Sequence, residues 1–250
     1  MNTESNELQR LIITDRDIST IEFVFQMRFA TSTQIMNACF GQRRDGNLRT
    51  SDLYVKRRLA KLVQAKFLRT GLPPTGGNQK YFYQITRSSL AILQGKGVRT
   101  CVCRVPQFRN QDFDHDSHVI DCRIALEKAS RATNWVPEFQ IRSLYNAFEN
   151  LPAKYIPDGI FTNKLGELTA FEMEISRKSL DRYEDKIQKY VSLVRSYFNE
   201  DFKFKRVLFV VKHKDVYKIL SEKTKIHSDI FKVESYECAV FSQMGRKMHI

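Results

Sequence analysis

The 250-residue sequence lacks the features that mark several common classes of protein. It has no uncharged apolar run of about eighteen residues, so we expect no transmembrane helix. It has no GxGxxG motif, no Walker loop and no GxSxG motif, which argues against a nucleotide-driven motor and a serine hydrolase. Its N-terminus has neither the basic start nor the apolar stretch of a signal peptide, so we expect a cytoplasmic protein.

Cysteine is also scarce and odd in number, with five residues in the chain. Such scattered cysteines are most simply free thiols in a reducing compartment. A zinc site is the alternative, because two of them, Cys101 and Cys103, precede His115 and His118. The C-x-C and H-x-x-H spacings, however, match no common zinc motif. The other three cysteines are Cys39, Cys122 and Cys238.

Acidic residues are few in the first part of the chain. Residues 1–110 hold 18 Lys and Arg against 7 Asp and Glu, whereas residues 111–250 hold 23 against 21. The net charge of +13 is therefore concentrated in one part of the sequence. This asymmetry predicts a module that binds a polyanion, with nucleic acid the leading candidate. A basic surface that serves only solubility is the alternative.

Helical periodicity predicts three helices in this basic part, over residues 15–29, 31–40 and 51–68. A Pro/Gly-containing β-hairpin over residues 68–86 and a further helix over residues 86–98 follow. Three helices followed by a hairpin are typical of a winged helix-turn-helix domain, which we expect to span residues 1–105. The buried stripe of the third helix would be formed by Leu53, Val55, Leu59, Leu62 and Val63.

The third helix is the expected recognition helix, because cations along a helix can meet phosphates and guanine edges in the major groove of double-stranded DNA. The alternative is that these charges only solvate the helix. On the helix, the predicted DNA contacts are Lys56, Arg57, Arg58 and Lys61 on the exposed face and Lys66 near the end. On the wing, they are Arg69 and Lys80, with Tyr81 as a further candidate.

The second part of the chain, residues 112–250, is predicted to be a separate α/β domain with the order α-β-β-β-α-β-α-β. Residues 135–145 are predicted as its first strand and residues 230–241 as its last. The nearly uninterrupted apolar run FKRVLFVVKH indicates a central strand that is covered on both faces. We therefore expect a mixed sheet flanked by helices.

Acidic residues interrupt the apolar stretch KYIPDGIFTNKLGELTAFEMEIS. Glu172 and Glu174 alternate with apolar residues, so they share one face of a predicted strand. If the preceding strand pairs with it, Asp158 approaches both glutamates. Three neighbouring carboxylates repel one another, and a divalent Mg²⁺ or Mn²⁺ ion would relieve this repulsion. The alternative is that these carboxylates face solvent on a one-sided sheet.

The segments PDGIF and FEMEI resemble the core of the restriction-endonuclease-like, or PD-(D/E)XK, nucleases. Together, HDSHVIDCRIALEKA, PDGIF, AFEMEIS and DKIQKYVSLV resemble the replication–relaxation family, which includes MobC-type mobilisation relaxases. In that family a winged helix precedes a nuclease-like domain, and the resemblance covers nearly the whole chain.

The resemblance implies that Asp158 and Glu172 are metal ligands, with Glu174 at the position where the nuclease core has lysine. Lys186 on the next helix lies three residues after Tyr183 and four before Tyr190, so it borders their face, and the spacing of these tyrosines indicates packing. Lys186 is the proposed displaced catalytic lysine, and an ordinary solvated lysine is its alternative. In the histidine–aspartate helix, Asp121 would be another acid of the metal site. The remaining candidates are His115 (a base, or a tie between the helix start and a loop), Asp116 of the same motif and Glu138 (a further acid).

The resemblance further implies a DNA-binding, metal-dependent endonuclease of a mobile element that nicks DNA at a transfer origin. Its partners would be double-stranded DNA, single-stranded DNA at the nick, and a coupling protein or other relaxosome subunits. One alternative is a regulator or replication accessory protein whose nuclease fold has lost catalysis. Another is a nuclease of host defence, which would cut both strands at many sites.

Overall fold

The computed structural model describes residues 11–41, 51–74, 81–98, 105–106, 109–147, 156–195 and 204–241. The chain divides after Gln107 into two units, each of which we describe by itself. The structure is a mixed α/β fold with a three-stranded antiparallel sheet and a five-stranded mixed sheet, which confirms the predicted fold class. No helix in the described ranges has the length and apolar character needed to cross a membrane.

The first unit contains four helices and a small sheet. Its helices are α1 (Asp15–Met27), α2 (Ser32–Cys39), α3 (Asp52–Gln64) and α4 (Arg87–Gly95). Its strands are β1 (Ala30–Thr31), β2 (Leu68–Gly71) and β3 (Phe82–Ile85), paired in the order β1-β3-β2.

Local hydrogen bonds explain where the helices of the first unit begin. Thr14 and Asp17 form a capping box at the start of α1, and Thr31 and Gln34 form another at the start of α2. Ser51 caps α3 by accepting a hydrogen bond from the amide of Tyr54. Each cap satisfies an amide that the helix itself leaves without a partner.

One side of α3 packs into the core, as predicted. Val55, Leu59 and Leu62 are buried, whereas Val63 is half-buried. The prediction for Leu53 is wrong, because 56% of its surface is exposed. At 100° per residue, Leu53 lies about 150° from the centre of the stripe that Val55, Leu59 and Leu62 form, which explains its exposure.

The second unit is built around the five-stranded sheet. Its strands are β4 (Thr133–Pro137), β5 (Gly159–Thr162), β6 (Leu168–Glu174), β7 (Arg206–Val211) and β8 (Phe231–Ser235), which pair in this order. Strands β4 to β6 are antiparallel, and β6 to β8 are parallel. Its helices are α5 (Phe113–Lys128), α6 (Glu138–Ala147), α7 (Leu180–Arg195), α8 (Lys214–Thr224) and α9 (Tyr236–Phe241).

Two predicted strands are shorter than expected, and each is followed by a helix. The strand predicted over 135–145 ends at Pro137, which has no amide for a further ladder bond, and α6 begins at Glu138. The strand predicted over 230–241 ends at Ser235. There the Ser235 hydroxyl accepts a hydrogen bond from the Cys238 amide and so caps the short helix α9.

The sheet of the second unit is covered on both faces. On one face, Tyr183 and Ile187 of α7 and Leu220 of α8 share a core cluster with Phe209 of β7. On the other, Cys122 of α5 contacts Met173 of β6, with 4.0 Å between the sulfur atoms. Residues Val207 to Val211 of β7 are all buried, so the central strand predicted from the apolar run is confirmed.

Candidate functional site

Sheet pairing brings the predicted acidic residues to one edge of the sheet. Strand β5 begins one residue after Asp158, and the antiparallel β6 ends at Glu174. Because Gly159 pairs with Phe171, the register places Asp158 opposite Glu172. A side chain at position 159 would place its Cβ 2.6 Å from the Trp135 ring, so the backbone that carries Asp158 requires glycine here.

Glu172 and Glu174 lie inside the protein and not on its surface. Their side chains are 8% and 1% exposed, because helices cover this face of β6. The alternative that they face solvent on a one-sided sheet is therefore wrong. Burying ionised carboxylates is costly unless a cation or hydrogen-bond donors accompany them.

The ammonium of Lys186 lies between the two glutamates. Its Nζ is 2.7 Å from Glu172 Oε2 and 2.7 Å from Glu174 Oε1. Burial alone lowers the pKa of Lys186, but the charges of Glu172, Glu174 and Asp158 raise it well above its ordinary value. Lys186 is therefore charged at neutral pH, and α7 delivers it to the acids of β6.

Glu172 has a hydrogen bond on each oxygen. Oε1 accepts from the Tyr190 hydroxyl, and Oε2 accepts from Lys186. Burial raises the pKa of Glu172 by more than the Lys186 charge lowers it, and the charge of Asp158 raises it further. Tyr190 and Tyr183 are buried in the core cluster. The sequence indicated packing for these tyrosines but not the contact of Tyr190 with Glu172.

Glu174 keeps one buried oxygen without a hydrogen bond. Its Oε2 lies 2.7 Å from Lys178 Nζ, but the two atoms are not in hydrogen-bond geometry. Within the described ranges, the indole nitrogen of Trp135 is the other buried side-chain polar atom without a hydrogen bond. The Lys178 ammonium therefore compensates the charge on this buried oxygen.

Asp158 connects the sheet edge to α5. Its Oδ2 accepts a hydrogen bond of 2.8 Å from the Met173 amide, beyond the last pair of the β5–β6 ladder. The same oxygen lies 3.3 Å from His115 Nε2. Burial raises the pKa of Asp158. The hydrogen bond and the charge of His115 lower this pKa by a larger amount, so it lies below its ordinary value.

His115 lies between two aspartates at the start of α5. Nδ1 is 3.3 Å from Asp116 Oδ1, and Nε2 is 3.3 Å from Asp158 Oδ2. Burial lowers the pKa of His115, but the hydrogen bonds to Asp116 and Asp158 raise it to about 11. An imidazolium cannot accept a proton, so this geometry favours the tie between helix and loop over the role of a base.

Two further acids from the sequence analysis have other neighbours. Asp121 lies against α9, where the Tyr236 hydroxyl donates a hydrogen bond of 3.0 Å to its Oδ2. Glu138 lies on α6 and accepts hydrogen bonds of 2.8 and 2.6 Å from Arg142. Of the two histidines considered for zinc, His118 contacts the Asp114 carbonyl at 2.6 Å. Cys101 and Cys103 lie outside the described residues.

The donor set fits a hard divalent cation in its chemistry, since Asp158, Glu172 and Glu174 supply only oxygen atoms. Glu174 Oε2, however, already lies 2.7 Å from the Lys178 ammonium. In the described part of the chain, moreover, no three His, Cys, Asp or Glu side chains converge closely enough to hold a metal ion. A cation would bind between the two glutamates only if Lys186 moved aside.

The basic residues of the first unit fall into two groups. Those that remain on the surface are Lys56, Arg57, Lys61 and Lys66 on or near α3 and Arg69 on β2, while Lys80 lies outside the described residues. Lys56 lies 3.8 Å from Asp52, and both side chains are more than half exposed. Such an exposed pair constrains Lys56 little.

The prediction that Arg58 lies on the exposed face of α3 is wrong. Its guanidinium pairs with the carboxylate of Asp17 on α1, with 2.7 Å between Nε and Oδ1, and it also donates to the Ile12 carbonyl at 2.7 Å. Asp17 is 1% exposed and Arg58 17%. Arg58 therefore joins α3 to α1 and does not lie on the exposed face. The signal in the sequence was helical spacing, since Arg58 lies three residues after Val55 and four before Leu62, which are both buried.

A family model described as replication-relaxation matches residues 21–207, well over half of the chain. The chain belongs to the replication-relaxation family. No curated protein and no solved structure matches it. Membership in the replication-relaxation family suggests a role in replication or mobilisation. The matched region includes α3 and the residues around Lys186, whereas helix α8 lies beyond it.

Proposed function

We propose that this replication-relaxation protein binds duplex DNA with its first unit and cuts one DNA strand with its second. The cut would lie at a transfer origin of a mobile element and would require Mg²⁺ or Mn²⁺. The observation that carries the proposal is the position of Lys186 Nζ, 2.7 Å from each of two buried glutamates. A surface lysine with no role beyond solubility would not need to lie there.

The first unit supports the DNA-binding part of the proposal. Three helices followed by strands β2 and β3 have the order of a winged helix-turn-helix domain, with α3 as the recognition helix. Arg57 and Lys61 are exposed on α3, one turn apart, so both could reach one groove. Mobilisation and replication both act on DNA, which agrees with this assignment.

The second unit supports the cleavage part. Its antiparallel strands β4 to β6, followed by the parallel β7, have the strand arrangement of the restriction-endonuclease-like core. That core places an aspartate, an acidic residue and a lysine around one phosphate. Here Glu174 replaces the usual lysine, and Lys186 brings an ammonium to the same pair of carboxylates from α7.

Each residue of the site would have a separate role in cleavage. Asp158, Glu172 and Glu174 would hold the cation, which when bound would supply an activated water and a Lewis acid for the phosphate. Lys186 would donate hydrogen bonds to phosphate oxygens as negative charge develops on them. Tyr190 fixes the orientation of Glu172, and His115 fixes that of Asp158. MobC-type mobilisation would add a coupling protein or relaxosome subunits as partners.

The test is a nicking assay on supercoiled plasmid that carries the presumed origin, with Mg²⁺, Mn²⁺ or EDTA. We expect nicking with the metals, none with EDTA, and a loss of about 100-fold or more in Glu172→Gln. Glu237→Gln is the matched control, because Glu237 is an exposed residue of α9 in the same unit. Undiminished nicking by Glu172→Gln, or nicking in EDTA, would contradict the proposal.

The second candidate is a DNA-binding regulator or replication accessory protein without catalysis. One observation favours it: the ammonium groups of Lys186 and Lys178 already compensate the two glutamates that would hold the metal. For this candidate we expect tight binding to the origin and no nicking under any metal condition. The same assay, run beside a binding measurement, separates the two.

A further inference from the structure

Helix α8 presents a row of lysines without acidic partners. Lys214, Lys218 and Lys225 are exposed. At 100° per residue they lie within about 40° of one another around the helix, with Lys225 in the 3-10 turn that continues α8. Within the described ranges, none of the three has an ion pair or a side-chain hydrogen bond. In contrast, Lys223 on another side of α8 pairs with Glu184 of α7.

The charge around α8 departs from that of the rest of the second unit. Residues 212–225 hold 5 Lys against 2 Asp and Glu, whereas residues 111–250 as a whole hold 23 Lys and Arg against 21 Asp and Glu. The positive charge of this unit is therefore concentrated near α8. A concentrated, unpaired positive charge raises the local concentration of a polyanion and favours its binding.

The row begins at the candidate site. The Lys212 amide, just before α8, donates a hydrogen bond of 3.0 Å to the Glu174 carbonyl. From there α8 leads away from the sheet edge, and Lys214 and Lys225 are about 16 Å apart along the helix. On one strand of B-DNA this length covers about five phosphates.

We propose that α8 is a second DNA-contacting element, in which Lys214, Lys218 and Lys225 bind phosphates of the strand that leads away from the candidate site. Tyr217 lies beside them with 39% of its surface exposed, so its ring can pack against a base or sugar. This inference rests on the proposed function, because it takes the occupant to be the DNA that reaches the carboxylates. It adds a contact in the second unit, outside the region that matches the family.

The test is the salt dependence of DNA binding by the full chain with Lys214, Lys218 and Lys225 all changed to Glu. We expect the dissociation constant to rise about tenfold or more, and the slope of log K against log salt to decrease by about 2 to 3. The matched control changes Lys164, Lys205 and Lys232 to Glu, which alters the charge equally at the opposite edge of the sheet. We expect a much smaller change there.

The outcomes are informative even if the protein does not nick DNA. An equal effect of the two triple variants would overturn the inference, since α8 would then contribute only to the general charge. A normal affinity and slope in the α8 variant would overturn it as well. Changing the same three lysines to Arg should leave both quantities near those of the wild type. Failure of the proposed function itself would appear as absent nicking by wild-type protein, which this binding experiment does not measure.

Discussion

The two units of the protein use their cations in opposite ways. In the first unit, Arg57 and Lys61 lie on the exposed side of α3, where water solvates them. In the second, the ammonium of Lys186 lies among carboxylates that are almost completely buried. An exposed cation is available to a polyanion at little cost to the fold. A buried one is part of the fold, and its loss leaves acids without a partner.

The comparison teaches that charge alone does not identify a binding residue. Arg58 has the same charge as Arg57 and is its neighbour in sequence, yet it belongs structurally with Lys186, because it pairs with the buried Asp17. Substitutions of exposed cations should change DNA binding and leave stability nearly constant. Substitutions of paired, buried ones should change stability first.

The largest effect is expected for Lys186→Met. Without the ammonium, the buried Glu172 keeps only the hydrogen bond from Tyr190, and Glu174 keeps only Lys178, so the free energy of unfolding should fall by about 3–5 kcal/mol. Urea titration of the full chain at neutral pH measures this. Lys164→Met, at an exposed position of the hairpin between β5 and β6, is the control and should change stability by less than about 0.5 kcal/mol. Equal stability of the two variants would show that Lys186 contributes no more to the fold than an exposed lysine does, which would contradict the comparison.

A somewhat smaller effect is expected for Arg58→Met in the first unit. We expect a loss of about 2–4 kcal/mol, because Asp17 would lose both bonds from the guanidinium. Arg57→Met is the control, and it should lower DNA affinity without this loss. Hydrogen exchange of the α3 amides locates the change in this unit. If Arg58→Met lowered DNA affinity and left exchange unaltered, Arg58 would belong with the exposed cations after all.

The same pair gives a pH dependence. Burial raises the pKa of Asp17, but the hydrogen bonds from Arg58 and Thr14 lower it more, so it lies below its ordinary value of 3.8. The stability from this group is therefore present above about pH 4 and is lost as the pH falls through the folded-state pKa. The stability gap between wild type and Arg58→Met should narrow as the pH falls from 7 to about 3. A gap that widens would contradict this assignment.

A third, smaller effect concerns the backbone that carries Asp158. In Gly159→Ala the new Cβ would lie 2.6 Å from the Trp135 ring, and the strand or the indole would have to shift. We expect a loss of about 1–3 kcal/mol in stability, together with slower nicking, because Asp158 would move. Gly166→Ala is a control without such a steric conflict, although its φ of 75° adds local strain. If Gly159→Ala were as stable and active as the wild type, the close approach would have no consequence.

The smallest effect on stability is expected for Arg57→Glu with Lys61→Glu. Both residues are exposed, so the stability should change by less than about 0.5 kcal/mol. The affinity for DNA should fall about tenfold or more, and the salt slope should decrease by about 2. Wild-type affinity in this variant would show that α3 does not face DNA.

Periodicity was sufficient to predict the elements with long, regular patterns. It predicted α1, α3 and the central strand β7, because a repeated apolar spacing reports which face is buried. It did not predict α6 and α9, because short apolar runs fit a strand and a helix equally well. Pro137 and the hydroxyl of Ser235, which mark where those strands end, are single residues with many other uses.

The candidate site was predictable in part for a similar reason. Alternation placed Glu172 and Glu174 on one face, and helical spacing placed Lys186 beside the face of Tyr183 and Tyr190. The pairing of Arg58 with Asp17 joins residues 41 positions apart, and no local pattern reports such a contact. The bond between Tyr190 and Glu172 was missed because a tyrosine in an apolar stripe does not show where its hydroxyl points.

The most direct test of the account compares nicking by three proteins as their concentration rises to saturation of the DNA. Wild type is compared with Arg57→Glu/Lys61→Glu and with Glu172→Gln. We expect the α3 variant to nick poorly at low concentration and to recover at saturation, because it loses only binding. Glu172→Gln should bind DNA like the wild type and fail to nick at any concentration. Recovery of nicking by Glu172→Gln at saturation would contradict the assignment of catalysis to the second unit.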